Sequence, residues 1–251
     1  MRANMIVLAV LLLLANLVKA DTITIVADEW APYNSVPNSA MPGYGIEIAQ
    51  QAFAQAGHSV NYLIMPWNRA LKETREGKYS AVIGAYIEDA PDFIFPDEEF
   101  GVSKNSFFVQ KGSAWRYTGL ESLLNLKVGI IQDYSFGEEL DDFFAKHPQI
   151  TEHVFGKTPL DQNIKKLLAG RVDVLVEDSN VFMQKVKEMG VSDKIEHVGD
   201  QGDANKLYIA FSPALAESKT YADILSKGIV AMKKSGELEQ ILAKYGLSYW
   251  K

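Results

Sequence analysis

Short apolar runs alternate with stretches of helical periodicity from Thr22 almost to the end of the chain. Thr22 to Ala27 alternates and is β-branched, which predicts a strand. Asp28 to Gly43 is a loop rich in Pro, Asn and Ser. Ile46, Ala49, Ala52, Phe53 and Ala56 share one helical face, and Gly57 closes that helix. Val60 to Ile64 predicts a second strand. Pro66, Trp67 and Asn68 start a short helix that stops at Gly77, and Ala81 to Ala85 predicts a third strand. The order β-α-β-α-β predicts a parallel sheet with right-handed crossovers.

A loop from Glu88 to Glu99 and a strand over 105–110 lead to a connector, Lys111 to Thr118. The same pattern then returns. Strands are predicted at 127–131, 152–155 and 172–176, with helices at 136–146, from Thr158 to Gly170, and around Phe182, Val186 and Met189. Gly199 to Asn205 is a second polar connector. Lys206 to Phe211 is a strand, and two helices with Leu225, Ile229, Met232 and Leu238, Ile241, Leu242 facing inward end the chain. Two α/β halves with two crossings predict two lobes, each a sheet flanked by helices, joined by a double-strand hinge. The expected boundaries are 21–109 plus 206–251 for the first lobe and 110–205 for the second.

The stretch KVGIIQDYSFGEEL, 127–140, concentrates the signals. Val128, Ile130 and Ile131 suit a strand buried on both faces. Ser135 with Glu138 three residues on is a capping box, so a helix is expected from Phe136. Free backbone N–H groups at such a start can receive an anion. The plainer alternative is a capped helix with no ligand.

Composition narrows the classes. Met5 to Val18 is apolar behind Arg2, and Val18-Lys19-Ala20 suits a signal peptidase, so residues 1–20 are expected to be a cleaved signal peptide; a retained anchor is the alternative. The 251 residues carry 32 acids against 25 bases. An acidic exported chain is a poor candidate for nucleic acid or anionic membranes. With 0 cysteines there is neither disulfide nor thiolate chemistry.

In open α/β sheets, ligands bind beyond the carboxyl ends of the strands. Those loops hold Glu29, Trp30 and Tyr33, then Trp67 and Arg69, then Tyr86, Glu88 and Asp89 in the first lobe. In the second they hold Asp133, Tyr134 and Ser135, then Lys157 and Thr158, then Glu177 and Asp178. Trp30 and Trp67 suit stacking on a ligand or a cation–π contact, and packing on their own lobe is the alternative.

DEWAPY (28–33), GYGIEIAQQAF (43–53), MPWNRALKETREGKYSAVIG (65–84), LLNLKVGIIQDYSFGEEL (123–140), LLAGRVDVLVED (167–178) and MKKSGELEQILAKYG (232–246) together resemble the type II periplasmic solute-binding proteins of the polar amino-acid-binding family. The resemblance covers nearly the whole chain after residue 20. It implies a periplasmic protein, expected to be monomeric, whose two lobes close on a small solute and deliver it to an inner-membrane ABC transporter permease. It implies a stacking aromatic at Trp30, a second wall at Trp67, a carboxylate-binding turn at Tyr134-Ser135-Phe136, and an ammonium partner at Asp178. The family's carboxylate-binding arginine is missing: Tyr86-Ile87-Glu88-Asp89-Ala90-Pro91-Asp92 stands in its place. Arg69 is the substitute candidate, since a guanidinium can hold a carboxylate by two bonds; a surface pair with Glu73 is its alternative. Asp178 could equally cap the helix that follows. The acids at 92 and 97–99 read as a solvated face.

His58, His147, His153 and His197 lack metal-ligand spacing, and Gly43-Tyr44-Gly45 is no dinucleotide fingerprint, so no cofactor is expected. Capture of an amino acid or related amine is the expected role. An enzyme using cleft carboxylates, such as a dehydratase or lyase, and a ligand-presenting sensory module are the rivals.

Overall fold

The computed structural model describes residues 20–132, 134–155 and 158–250. The expected signal peptide, Asp133 and Lys157 fall outside the described residues, except for Ala20.

The first sheet is built from β1 (Thr22–Ala27), β2 (Ser59–Ile64), β3 (Ala81–Ala85), β4 (Gly101–Ser103) and β10 (Asn205–Phe211), in the order β2-β1-β3-β10-β4. β1 runs parallel to β2 and β3, and β10 is antiparallel to β3 and β4. The second sheet holds β5 (Asn105–Gln110), β6 (Val128–Ile131), β7 (Thr151–Val154), β8 (Val174–Asp178) and β9 (Ile195–Asp200), in the order β7-β6-β8-β5-β9. Here too three parallel strands are followed by one that runs against them, β5, and by an outer strand, β9, antiparallel to that one. The two-lobed α/β architecture expected from the pattern is present.

One boundary is corrected. The strand at 105–110 was expected to close the first lobe, but it hydrogen-bonds to β8 and β9 in the second sheet. Its side chains explain this. Phe107 and Val109 are buried with Val128, Ile130 and Val174, while Phe108 on the opposite face stacks on Phe182 at 3.7 Å. The chain crosses between the sheets at Lys104, and again between Asp200 and Asn205. Lys104 Nζ lies 3.0 Å from Asp200 Oδ2, so an ion pair ties the two crossings together.

The helices follow the apolar spacing. α1 (Tyr44–Gln55) and α2 (Trp67–Arg75) belong to the first lobe, and α3 (Glu138–Lys146), α4 (Pro159–Leu168) and α5 (Ser179–Glu188) to the second. α6 (Ser218–Ser235) and α7 (Glu237–Lys244) return to the first. A Cβ on Gly228 of α6 would meet Ala52 Cβ of α1 at 2.4 Å, so a side chain there would force the two helices apart. Lys244 Nζ and the Tyr245 hydroxyl both reach Glu47 at 2.6 Å. β6 is buried at all four positions, as its unbroken apolar run implies.

Candidate functional site

The two lobes face each other through the loops at the carboxyl ends of β1, β2 and β3 on one side and β6, β7 and β8 on the other. Two chambers lie between them. The larger has a volume of about 210 Å³ and the smaller about 50 Å³. Asp28, Trp30, Trp67 and Tyr134 line both, so the chambers share a wall of aromatic rings and one carboxylate.

Trp30 is positioned from behind. The Tyr33 ring stacks on it at 4.4 Å with 22° between planes. Tyr33 is fully buried, and its hydroxyl lies 2.8 Å from the Val102 carbonyl and 2.9 Å from Asp178 Oδ2. The indole Nε1 of Trp30 crosses the cleft and donates to Glu177 Oε1 at 3.2 Å. The Asp178 backbone N–H donates to the same oxygen at 2.8 Å, and Oε2 has no partner among the described residues. Trp67 enters as the first residue of α2, directly after Pro66. Across the cleft, the Tyr134 hydroxyl donates to Asp28 Oδ2.

The sequence-derived candidates divide. Trp30, Trp67 and Tyr134 line both chambers, and Tyr86 and Ser135 line the smaller. Tyr33, Arg69, Phe136 and Asp178 line neither. Arg69 is mostly exposed and pairs with Glu73 at 3.0 Å, one turn on; it stands on the solvent side of α2 and corrects the expectation that it replaces the missing arginine. Asp178 is saturated by the protein itself. Oδ1 caps α5 by accepting from Val181 N at 2.9 Å, and Oδ2 accepts from Ser103 Oγ at 2.8 Å and Lys104 N at 3.2 Å as well as facing Tyr33. It clasps the crossing between lobes, buried and apart from both chambers.

The turn at Tyr134-Ser135-Phe136 brings a second correction. No capping box forms, and α3 starts at Glu138 behind Gly137, whose φ of 86° suits glycine. Asp141 takes over the role. Its Oδ2 accepts from Ser135 Oγ at 2.6 Å and its Oδ1 from Phe136 N at 2.8 Å, while Gly137 N donates to Ser135 Oγ at 3.1 Å. The Ser135 hydroxyl and the Phe136 amide, two of the donors expected to bind a ligand carboxylate, are thus held by a carboxylate of the chain.

Electrostatically the cleft is acidic. Asp28, Glu29, Asp161, Glu177 and Glu188 line the larger chamber and Asp89 the smaller. Lys185 is the single base among the described lining residues, and it pairs with Glu188 at 2.9 Å and faces Asp161 at 3.9 Å. Burial pushes the Glu177 carboxyl up to about 8, with the charges of Asp178 and Asp28 adding to the effect against hydrogen bonds that oppose it. Burial raises Asp28 to about 6 against the Tyr134 hydrogen bond. Burial also raises Asp89 to about 6, opposed by the bond from Tyr86 N and reinforced by Asp141 and Glu88. A cation placed beside these carboxyls would favour their ionised forms.

Asp28, Asn34 and Asp141 were not singled out from sequence. Asp28 is the first residue past β1, so the strand-end rule could have found it. Nothing in the sequence marks Asn34 or Asp141, whose roles depend on loop geometry.

The fold and the cleft together define a two-lobed α/β architecture. No family model matches the chain, and no curated protein sequence matches it. Solved structures do. A histidine kinase sensor domain with similarity to periplasmic binding proteins superposes with a TM-score of 0.74 at 21% identity, over 89% of this chain and 95% of that one. An ancestral arginine-binding protein bound to arginine gives 0.74 at 20% identity, over 89% and 97%. A structure from work on glutathione import through GshT and the cystine ABC importer of Streptococcus mutans gives 0.77 at 19% identity, over 92% and 98%.

Proposed function

We propose that the protein is an exported solute-binding protein that closes its lobes on a small amine-bearing solute and delivers it to an inner-membrane ABC transporter permease. The observation that carries this is the placement of Glu177, which is buried, and Asp28, which is half-buried, both with raised proton affinity, beside Trp30 and Trp67 in the interlobe cleft. An ammonium there meets carboxylates at its charge and indole faces around it, and cation–π contacts contribute about 0.5–2 kcal/mol each. The lobes already touch through the Trp30–Glu177 and Tyr134–Asp28 bonds, so a ligand ammonium would enter an existing bridge between lobes and strengthen closure. The similarity to an amino-acid-binding protein holding a cationic amino acid supports an amine ligand. The leader pattern of residues 1–20 supports export to the periplasm.

The role is capture without turnover. A thermal-shift screen of amines and amino acids tests it. Ligand at one hundred times its Kd stabilises by about 2.7 kcal/mol, which is read as a raised melting temperature. If no amine or amino acid raises it, the proposal fails. A ligand that is bound and converted to product would replace capture by catalysis.

A second reading is ligand presentation to a membrane receptor, supported by the similarity to a kinase sensor domain. Recovery of a sensor protein rather than a permease, in a ligand-dependent pull-down from membranes, would favour it.

A further inference from the structure

We infer that the smaller chamber seats a second cationic group, so that the captured solute is a dication without an α-carboxylate, such as an aliphatic diamine or an amino-guanidine. This rests on the cleft being the binding site, and it goes further in naming the class of ligand.

The first observation is Asn34. Its side chain is 1% exposed and lines the smaller chamber, and its Oδ1 has no hydrogen-bond partner. The orientation of the amide is fixed, because Nδ2 donates to the Asp28 carbonyl at 2.5 Å and to the Tyr62 hydroxyl at 3.0 Å. A buried acceptor left empty calls for a donor. Gly84, at φ 94°, makes the room: a Cβ there would lie 4.0 Å from that same Oδ1 and 3.7 Å from the Trp30 ring.

The second observation is the surrounding charge. Asp28 and Asp89 line the chamber with Asn34, so a group placed there meets two carboxyls and a neutral acceptor, which is a set made for N–H donors. A volume of about 50 Å³ accommodates a terminal ammonium, since a water needs roughly 10–15 Å³ on the same measure. Among the described residues no three acids or histidines converge as a metal site. The acids are instead strung along the cleft, with Glu177, Glu29 and Asp161 lining the larger chamber. That spacing suits an extended organic cation with a charge at each end and methylenes against the shared wall of Trp30 and Trp67.

The third observation disfavours a carboxylate. Ser135 Oγ and Phe136 N are held by Asp141, Arg69 is paired outside the cleft, and Lys185 is held by Glu188. An α-carboxylate would sit among like charges, with the turn's hydroxyl and Phe136 amide and the cleft's one base already engaged.

Calorimetric titration at pH 8.5 tests this on the unmodified protein. The probes are 1,4-diaminobutane, 1,5-diaminopentane and 4-guanidinobutylamine, against butylamine and pentylamine, and against ornithine, lysine and arginine, which add only a carboxylate. The diamines are expected to bind at least tenfold tighter than the monoamines and than the matching amino acids. Asp89→Asn, which keeps an oxygen for Tyr86 N, is expected to cost the diamines tenfold or more and to narrow their lead over the monoamines. If ornithine, lysine or arginine matches its decarboxylated counterpart, or if monoamines bind as well as diamines, the dication inference is overturned and amine capture stands. If no probe of any class binds, both fall together.

Discussion

Ligand affinity should depend steeply on pH because of one carboxyl. Glu177 is pushed up to about 8 by burial and by its acidic neighbours. At pH 7 it is then ionised in about one molecule in ten, and at pH 6 in about one in a hundred. A cation that requires the carboxylate therefore faces a cost of about 1.4 kcal/mol at pH 7 and about 2.7 kcal/mol at pH 6. Alkyl ammonium groups titrate near 10, as lysine does, so the ligand keeps its charge throughout (roughly pH 6–9). The Kd should fall about tenfold from pH 6 to 7, about fivefold from pH 7 to 8, and by only about twofold more above 8. Binding at pH 7 should release about 0.9 proton, measured by calorimetry in two buffers of different ionisation enthalpy. Glu177→Gln should flatten the profile and bind worst, relative to the parent, above pH 8. The ligand-free protein should show the opposite trend in stability. Its folded state holds the Glu177 proton more tightly than the unfolded chain does, so stability falls as pH rises from about 4.5 towards 8. A parent Kd that is constant from pH 6 to 8, with no proton release, would refute the reasoning.

Three other outcomes are expected. Trp30→Ala and Trp67→Ala should each weaken amine binding by roughly 2- to 30-fold, the span of a lost cation–π contact of about 0.5–2 kcal/mol, with unchanged circular dichroism. Arg69→Ala should leave the Kd as it is and barely change stability, because its pair with Glu73 is exposed; calorimetry and denaturant titration read the two quantities. Asp178→Ala should lower stability by about 2–4 kcal/mol, since it removes a helix cap and leaves several buried donors unpaired, and the drop in melting temperature should persist with ligand present.

The strands and helices were legible wherever burial left a period in the sequence, as in Thr22–Ala27 or in the helix through Ile46, Ala49 and Phe53. Two strands were missed for a shared reason. Gly101–Ser103 is only three residues long, and Ile195–Asp200 carries His197 and Glu196 on an edge that faces water on one side. Neither offers a clean alternation. The lobe boundary failed because Asn105–Gln110 is apolar enough for either sheet, and only long-range pairing decides which. The aromatic wall followed from loops at strand ends, since position along the chain fixes which end of a sheet a residue occupies. The polar chemistry did not follow. Asp141 and Glu138 are both acids near the start of one helix, and the positive φ of Gly137 decides which of them turns back to Ser135. Glu177, and not Asp178, faces the cleft because successive strand residues point to opposite sides, one into the cleft and the other onto the crossing at Lys104.

The pairing at the two crossings bears on how the molecule could be taken apart. Ser103 is the register partner of Asn205 in the first sheet, and Ser106 is the partner of Asp200 in the second. Everything from Asn105 to Asp200 is therefore a continuous insert whose two ends lie side by side. Joining Ser103 to Asn205 through a short glycine-containing turn would convert β4 and β10 into an ordinary hairpin and leave the first sheet whole. The severed piece would retain Asp28, Trp30, Asn34, Trp67 and Asp89, half of a jaw with its own teeth. Such a half could be used to measure how much grip on an amine comes from one lobe, before any closure contributes.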